Sequence, residues 1–132
     1  MAVVVGFIPT PEGTAALAEA TREARRRGAK VVLVASYDPA QAKEAGARKR
    51  FRDALDRAAE QLAAEGLEHE VRTMERGRLP SEDVLEVAEE IGAEVIVIGL
   101  RRRSAVGKFL LGSHAQQILM DAPCPVLSVK AG

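Results

Sequence analysis

The residues best placed to do chemistry lie between Val95 and Ser113, in the run VIVIGLRRRSAVGKFLLGS. An apolar strand pattern, Val95-Ile96-Val97-Ile98, stops on Gly99. A basic loop follows, carrying Arg101, Arg102, Arg103 and Lys108, and it closes on Gly112-Ser113 just before a helical pattern that begins at His114. A helix N-terminus offers unpaired N–H groups and the positive end of the helix dipole. Glycine lets the backbone approach a ligand closely. A strand, a cationic glycine-punctuated loop and a helix start, in that order, suit an anion, and phosphate is the expected one. Ser113 and Gln116 have the spacing of an S-x-x-Q capping box, so Ser113 is expected to cap this helix as well as to face the anion.

Other chemistries are disfavoured. A Walker loop needs Ser or Thr after its lysine, and Lys108 is followed by Phe109. No G-x-G-x-x-G follows the first strand. The ends of strands one and three carry Ile8 and Met74-Glu75, not the acidic residues of a phosphoacceptor domain. No nucleophile–base pair stands out, and no water-activating carboxylate is visible near the loop. One cysteine and two distant histidines, His69 and His114, make a metal site unexpected. Cys124, between two prolines, is expected to be a small packed side chain, and Tyr37 a partly buried aromatic.

Those residues need a scaffold, and the chain supplies one by alternating strand and helix patterns. Strands are expected at Val3 to Ile8, Val31 to Ser36, Leu67 to Thr73, Val95 to Ile98 and Val126 to Val129. Helices are expected at Pro11 to Arg27, Lys43 to Glu65, Pro80 to Ile91 and His114 to Met120. Gly28, Gly66 and Gly92 each end a helical pattern. The fourth helix stops at Asp121-Ala122-Pro123. Helices between apolar strands imply crossovers and a parallel sheet. The expected fold is α/β, a single-domain three-layer sandwich with a five-stranded parallel sheet in the order 3-2-1-4-5. Strand three, with Glu68, His69, Glu70 and Arg72, belongs at an edge, and strand five at the other. In such a sheet ligands bind beyond the carboxyl ends of the strands, near the switch point. The loop after strand four lies there, and so does the loop after strand one, Pro9-Thr10-Pro11.

The whole chain suits one domain: 132 residues are enough to enclose a core. A formal net charge of zero argues against nucleic acid as the main partner. No apolar run reaches membrane-spanning length. A strand pattern begins at once, without a basic region before it, so no signal peptide is expected. The expected compartment is the cytoplasm.

The segment from Gly99 to Ser113 resembles the universal stress protein family, whose nucleotide-binding members carry G-x2-G-x9-G-[S/T]. Gly99, Gly112 and Ser113 fall at its first, third and fourth positions. Pro11-Glu12-Gly13, Asp38-Pro39 and Ala122-Pro123-Cys124-Pro125-Val126-Leu127 extend the resemblance along the chain. Arg102 replaces the second signature glycine, and Ile8 stands where nucleotide-binding relatives usually carry an Asp. The resemblance implies an adenine nucleotide alpha hydrolase-like fold. It also implies a stress-response module, not a fast enzyme and at most a slow ATP hydrolase. ATP or AMP, with or without Mg2+, would be held by Ile8, Pro9, Thr10, Ser36, Gly99, Arg101, Arg102, Arg103, Gly112, Ser113 and His114. The phosphates would lie at Gly112 and Ser113, and the base over Ile8 and Pro9 near Ser36. It implies a homodimer through strand five, Val126, Leu127, Ser128 and Val129. The alternative is a nucleotide-independent member acting as a dimeric interaction protein.

Overall fold

The computed structural model describes residues 1–40, 44–101 and 111–131. Its elements run β1 (Ala2–Gly6), α1 (Pro11–Arg27), β2 (Lys30–Ser36), α2 (Ala47–Ala64), β3 (His69–Met74), α3 (Pro80–Ile91), β4 (Val95–Leu100), α4 (Ser113–Asp121) and β5 (Val126–Lys130). All strand pairs are parallel, in the order β3-β2-β1-β4-β5, as the alternation of patterns predicts.

The central strands are apolar on both faces because each face has its own helical layer. Successive side chains on a strand point to opposite sides. Val3, Val5, Val31, Leu33, Val95 and Val97 therefore pack against α1 and α2. Val4, Val32, Val34, Ile96 and Ile98 pack against α3 and α4. The helices present matching stripes: Ala16, Leu17, Ala20 and Ala24 on α1, Leu55, Ala58 and Leu62 on α2, and Val84, Val87 and Ala88 on α3, all buried.

The two edges differ. β3 carries the ion pairs Lys30–Glu70, Arg72–Glu70 and Arg72–Glu90, which cover its outer side with charge. β5 is half-buried at Val126, Leu127 and Val129 and has no charged residue before Lys130.

Three local expectations are corrected. α2 begins at Ala47 and not at Lys43, which lies outside the described residues. Gly46 stands before it with φ 81°, a left-handed backbone that breaks the helix there. The first strand ends at Gly6, short of Ile8. Phe7 N–H still bonds Val34 O at 3.0 Å, but Thr10 N–H bonds back to Ile8 O at 2.8 Å, so the chain has already turned toward α1. The residue capping α4 is Gly112, and Ser113 is its first helical residue. No side chain caps this end, and Gln116 Nε2 instead donates to Leu111 O at 3.2 Å. The S-x-x-Q box therefore does not form.

Candidate functional site

The crevice at the carboxyl end of the sheet follows from where pairing stops. β1 and β4 are last in register at Val5 and Val97, while β4 runs on to Leu100. The chain after β1 swings away at Ile8 into α1. The gap between them is the switch point, where strand order reverses.

Two glycines allow α1 to start so close to the sheet. A Cβ on Gly13 would run into the Ile8 carbonyl, and a Cβ on Gly99 would run into the Glu12 carbonyl. Neither has a positive φ. Their role is close approach of backbone to backbone. Thr10 caps α1, its Oγ1 accepting from Gly13 N–H at 3.2 Å, and Pro11 opens the helix.

Two adjoining cavities open here. The inner one, about 170 Å³, has apolar walls from Ile8, Val34, Val84, Ile98 and Ile118, with Glu12, Ser36, Ser81 and His114 as its polar residues. The outer one, about 210 Å³, is lined by Gly99, Arg101, Gly112 and Ser113, with Ile8 and Glu12 opposite. Ile8, Glu12, Gly99, His114 and Ala115 belong to both. Together they reach the small end of the roughly 300–1,000 Å³ usual for small-molecule sites. Among the described residues no carboxylate pairs with Arg101, which is exposed at the outer cavity.

The structure thus brings together Ile8, Ser36, Gly99, Arg101, Gly112, Ser113 and His114. Arg102 and Arg103 lie outside the described residues, as do Gly107 and Lys108. Pro9 and Thr10 face elsewhere. They line a separate cavity of about 400 Å³ between α1 and α2, with Phe7, Leu17, Arg57 and Gln61. That cavity is larger, but none of its lining residues comes from α4 or the end of β4, and the Thr10 hydroxyl is already used as a cap. Tyr37 also turns aside. Its ring packs on Phe51 at 5.0 Å, with the Arg48 guanidinium 4.9 Å above it.

The buried polar groups around the inner cavity form two clusters. Ser36 donates from Oγ to Asp83 Oδ2 at 2.6 Å. Asp83 is almost wholly buried, and its Oδ1 accepts from Arg76 at 3.4 Å. Arg76 also reaches Glu86, and this hydrogen bond holds the Glu86 carboxyl below the usual carboxylate range. In the second cluster Ser81, fully buried, gives its proton to Gln117 Oε1 at 2.6 Å. Its Oγ lies 3.3 Å from His114 Nδ1. With its single proton committed, Ser81 can only accept from Nδ1–H, which leaves His114 Nε2 as the free ring nitrogen.

Sequence reasoning missed Glu12, Ser81, Asp83 and Gln117. Glu12 brings a carboxylate to the cavity where none was visible near the loop. Asp83 had a signal: it lies four residues before Val87 on the stripe that α3 buries, where a carboxylate needs a buried partner. Ser81 and His114 are 33 positions apart, and nothing local links them. Cys124 is half-buried, and burial pushes its thiol up from the ordinary value, which suits a packed residue and not a nucleophile. Among the described residues no group of three or more His, Cys, Asp or Glu could hold a metal ion. Among them, too, no helix is long and apolar enough to cross a membrane.

Comparison with known proteins places this geometry in context. The family model for the Universal stress protein family matches residues 1–130. A universal stress protein of Mycolicibacterium smegmatis is 35% identical, the match covering 97% of this chain and 96% of the relative. The solved structure of a universal stress protein from Archaeoglobus fulgidus is 32% identical with a TM-score of 0.81, covering 98% of this chain and 97% of that one. A universal stress protein from the same organism, solved in complex with dAMP, is 29% identical with a TM-score of 0.76, covering 98% and 96%. With its sheet order, its crevice after β4 and a match along nearly its full length, the chain belongs to the universal stress protein family.

Proposed function

We propose that this chain is a cytoplasmic stress-response module that binds an adenine nucleotide in the paired cavities between β1, β4 and α4. The observation that carries the reading is the continuity of the two cavities. An apolar chamber sized for part of a small ligand opens into one bordered by the α4 N-terminus and an exposed arginine. The phosphates lie against Gly112 and Ser113, whose N–H groups helix geometry leaves unpaired. The base occupies the inner cavity, between Ile8 and Ser36. Pro9 and Thr10 take no part in this arrangement, because they line the groove on the other side of α1. The dAMP complex of the Archaeoglobus fulgidus relative supports the reading.

The site is built to bind and not to turn over quickly. Ser81, the hydroxyl beside an imidazole, is fully buried and its proton is held by Gln117, so it is not presented as a nucleophile. Titration calorimetry with ATP, AMP and adenosine tests the proposal. Charge-assisted contacts to phosphate contribute about 1.5–3 kcal/mol each. ATP and AMP are therefore expected to bind at least tenfold more tightly than adenosine. Adenosine binding as tightly as ATP refutes the phosphate assignment, and no heat with any of the three refutes nucleotide binding. Because Glu12 lines the outer cavity, the ATP sample is also assayed for ADP, and no release is expected within the titration.

The β5 edge favours a second property, self-association. Val126, Leu127 and Val129 are half-buried on an edge strand that pairs with β4 on one side, has no partner strand on the other among the described residues, and lacks the charges that cover β3; Leu119 and Met120 of α4 are exposed. A two-fold pairing of β5 with its copy covers that edge. Replacing Leu127 by Lys is expected to shift the protein from dimer to monomer in sedimentation at micromolar concentration. A native protein that already sediments as a monomer contradicts the pairing.

A further inference from the structure

The inner cavity ends on a hydrogen bond whose direction is fixed. Ser36 lines the cavity, and its Oγ donates to Asp83 Oδ2 at 2.6 Å. A serine hydroxyl has one proton and two lone pairs. With the proton given to the carboxylate, Oγ can only accept from whatever enters the cavity. Asp83 is held in that role from its other side, where Arg76 approaches Oδ1 at 3.4 Å. The pair is shielded: Asp83 is 1% exposed and Ser36 half-buried.

We infer that the Ser36–Asp83 pair is the base-selecting element of the site, accepting a hydrogen bond from an exocyclic amino group and rejecting a carbonyl at the same place. The assignment rests on the nucleotide-binding reading, with the phosphates at the α4 end and the base at the β2 end of the joined cavities. A 6-aminopurine presents N–H toward Ser36 and completes its bonding. A 6-oxopurine sets a carbonyl oxygen against a hydroxyl that has no proton left to give. Such a mismatch leaves two acceptors facing each other.

Asp83→Asn turns this arrangement round by changing one atom. Arg76 needs an acceptor at the Oδ1 position, so the new amide keeps its oxygen toward Arg76 and its NH2 toward Ser36. Ser36 then accepts from the amide, and its own proton is free to point into the cavity. The variant therefore favours the oxopurine.

The test is calorimetry of AMP and inosine monophosphate with the native protein, Asp83→Asn and Ser36→Ala. The native protein is expected to prefer AMP by about tenfold or more. In Asp83→Asn AMP weakens, inosine monophosphate strengthens, and the preference falls to about one or inverts. In Ser36→Ala, which keeps Asp83 against Arg76 and guards against a folding defect in the first variant, AMP weakens while inosine monophosphate stays within about twofold. A pair with only a structural role weakens both nucleotides together in both variants, and that result overturns the assignment. Native protein that binds AMP and inosine monophosphate equally overturns it as well, leaving nucleotide binding intact. Absence of heat from either nucleotide overturns the binding reading and this assignment with it.

Discussion

Gly99→Ala is expected to lower the thermal midpoint by roughly 10 °C or more, and Gly13→Ala to do the same. Each added Cβ meets a main-chain carbonyl, Glu12 O for Gly99 and Ile8 O for Gly13, closer than van der Waals contact allows. A flexible side chain could swing aside, but a backbone in the first turn of a helix cannot without moving α1 off the sheet. Overpacking of this kind costs typically about 1–3 kcal/mol and sometimes more, and here the upper end applies because the obstacle is backbone on both sides. For a chain of this length each kcal/mol corresponds to a few degrees. Melting followed by circular dichroism checks both. A shift below about 3 °C for either variant would show that α1 can retreat, and the close approach would then not be a requirement of the fold.

That expectation changes the meaning of a motif. Gly99 is the first glycine of the phosphate-loop signature, and the sequence invites the reading that it admits a ligand. The structure gives it a second reason to be glycine, the passage of Glu12 backbone across the end of β4. Sequence and structure agree on the residue and differ on the cause, because the contact joins positions 87 residues apart. Elements whose signal is local were legible: the stripe Val84, Val87 and Ala88 predicted α3 with its observed bounds, and Pro11 with Gly28 bracketed α1. Strand order was legible as well, since charge along β3 and its absence from β1, from β4 and from β2 beyond its first residue Lys30 sort edge from centre. The α2 start was not, because Gly46 reads in sequence as an ordinary interruption and acts in the structure as a left-handed stop.

The site was legible in outline for the same reason. The β4 end and the α4 start are consecutive in sequence, and the loop chemistry between them marks them. The inner cavity was harder. Its polar residues come from α1, β2, α3 and α4, and Ser36, Asp83, Ser81 and His114 acquire meaning only when the sheet brings their elements together. Ser113 shows the opposite error. Its S-x-x-Q spacing is a good local rule, yet Gly112 takes the cap and Gln116 turns to Leu111 O, leaving the Ser113 side chain exposed beside the outer cavity. A hydroxyl that is not spent on capping remains available to a ligand, so this failed expectation strengthens the site.

Gly112→Val is expected to separate binding from folding. Gly112 has φ −73° and ψ 170°, an extended backbone that any residue adopts, so the position carries no conformational demand for glycine. Valine is a poorer N-cap than glycine by about 1 kcal/mol, which predicts a melting shift of only a few degrees. The effect on a ligand is far larger. Gly112 and Ser113 line the outer cavity at the helix N-terminus, and a phosphate oxygen must come within about 3 Å of a backbone nitrogen to bond to it. A branched side chain at a residue that lines the cavity is expected to take up part of that space. AMP affinity in calorimetry is expected to fall by about a hundredfold or more, a loss of roughly 2.7 kcal/mol or more, while the melting curve stays near that of the native protein. Unchanged affinity would place the phosphates away from the α4 N-terminus. A melting shift as deep as that of Gly99→Ala would assign Gly112 to the fold and not to the site. The two glycines belong to one signature, and this pair of variants shows which of them the ligand needs and which the backbone needs.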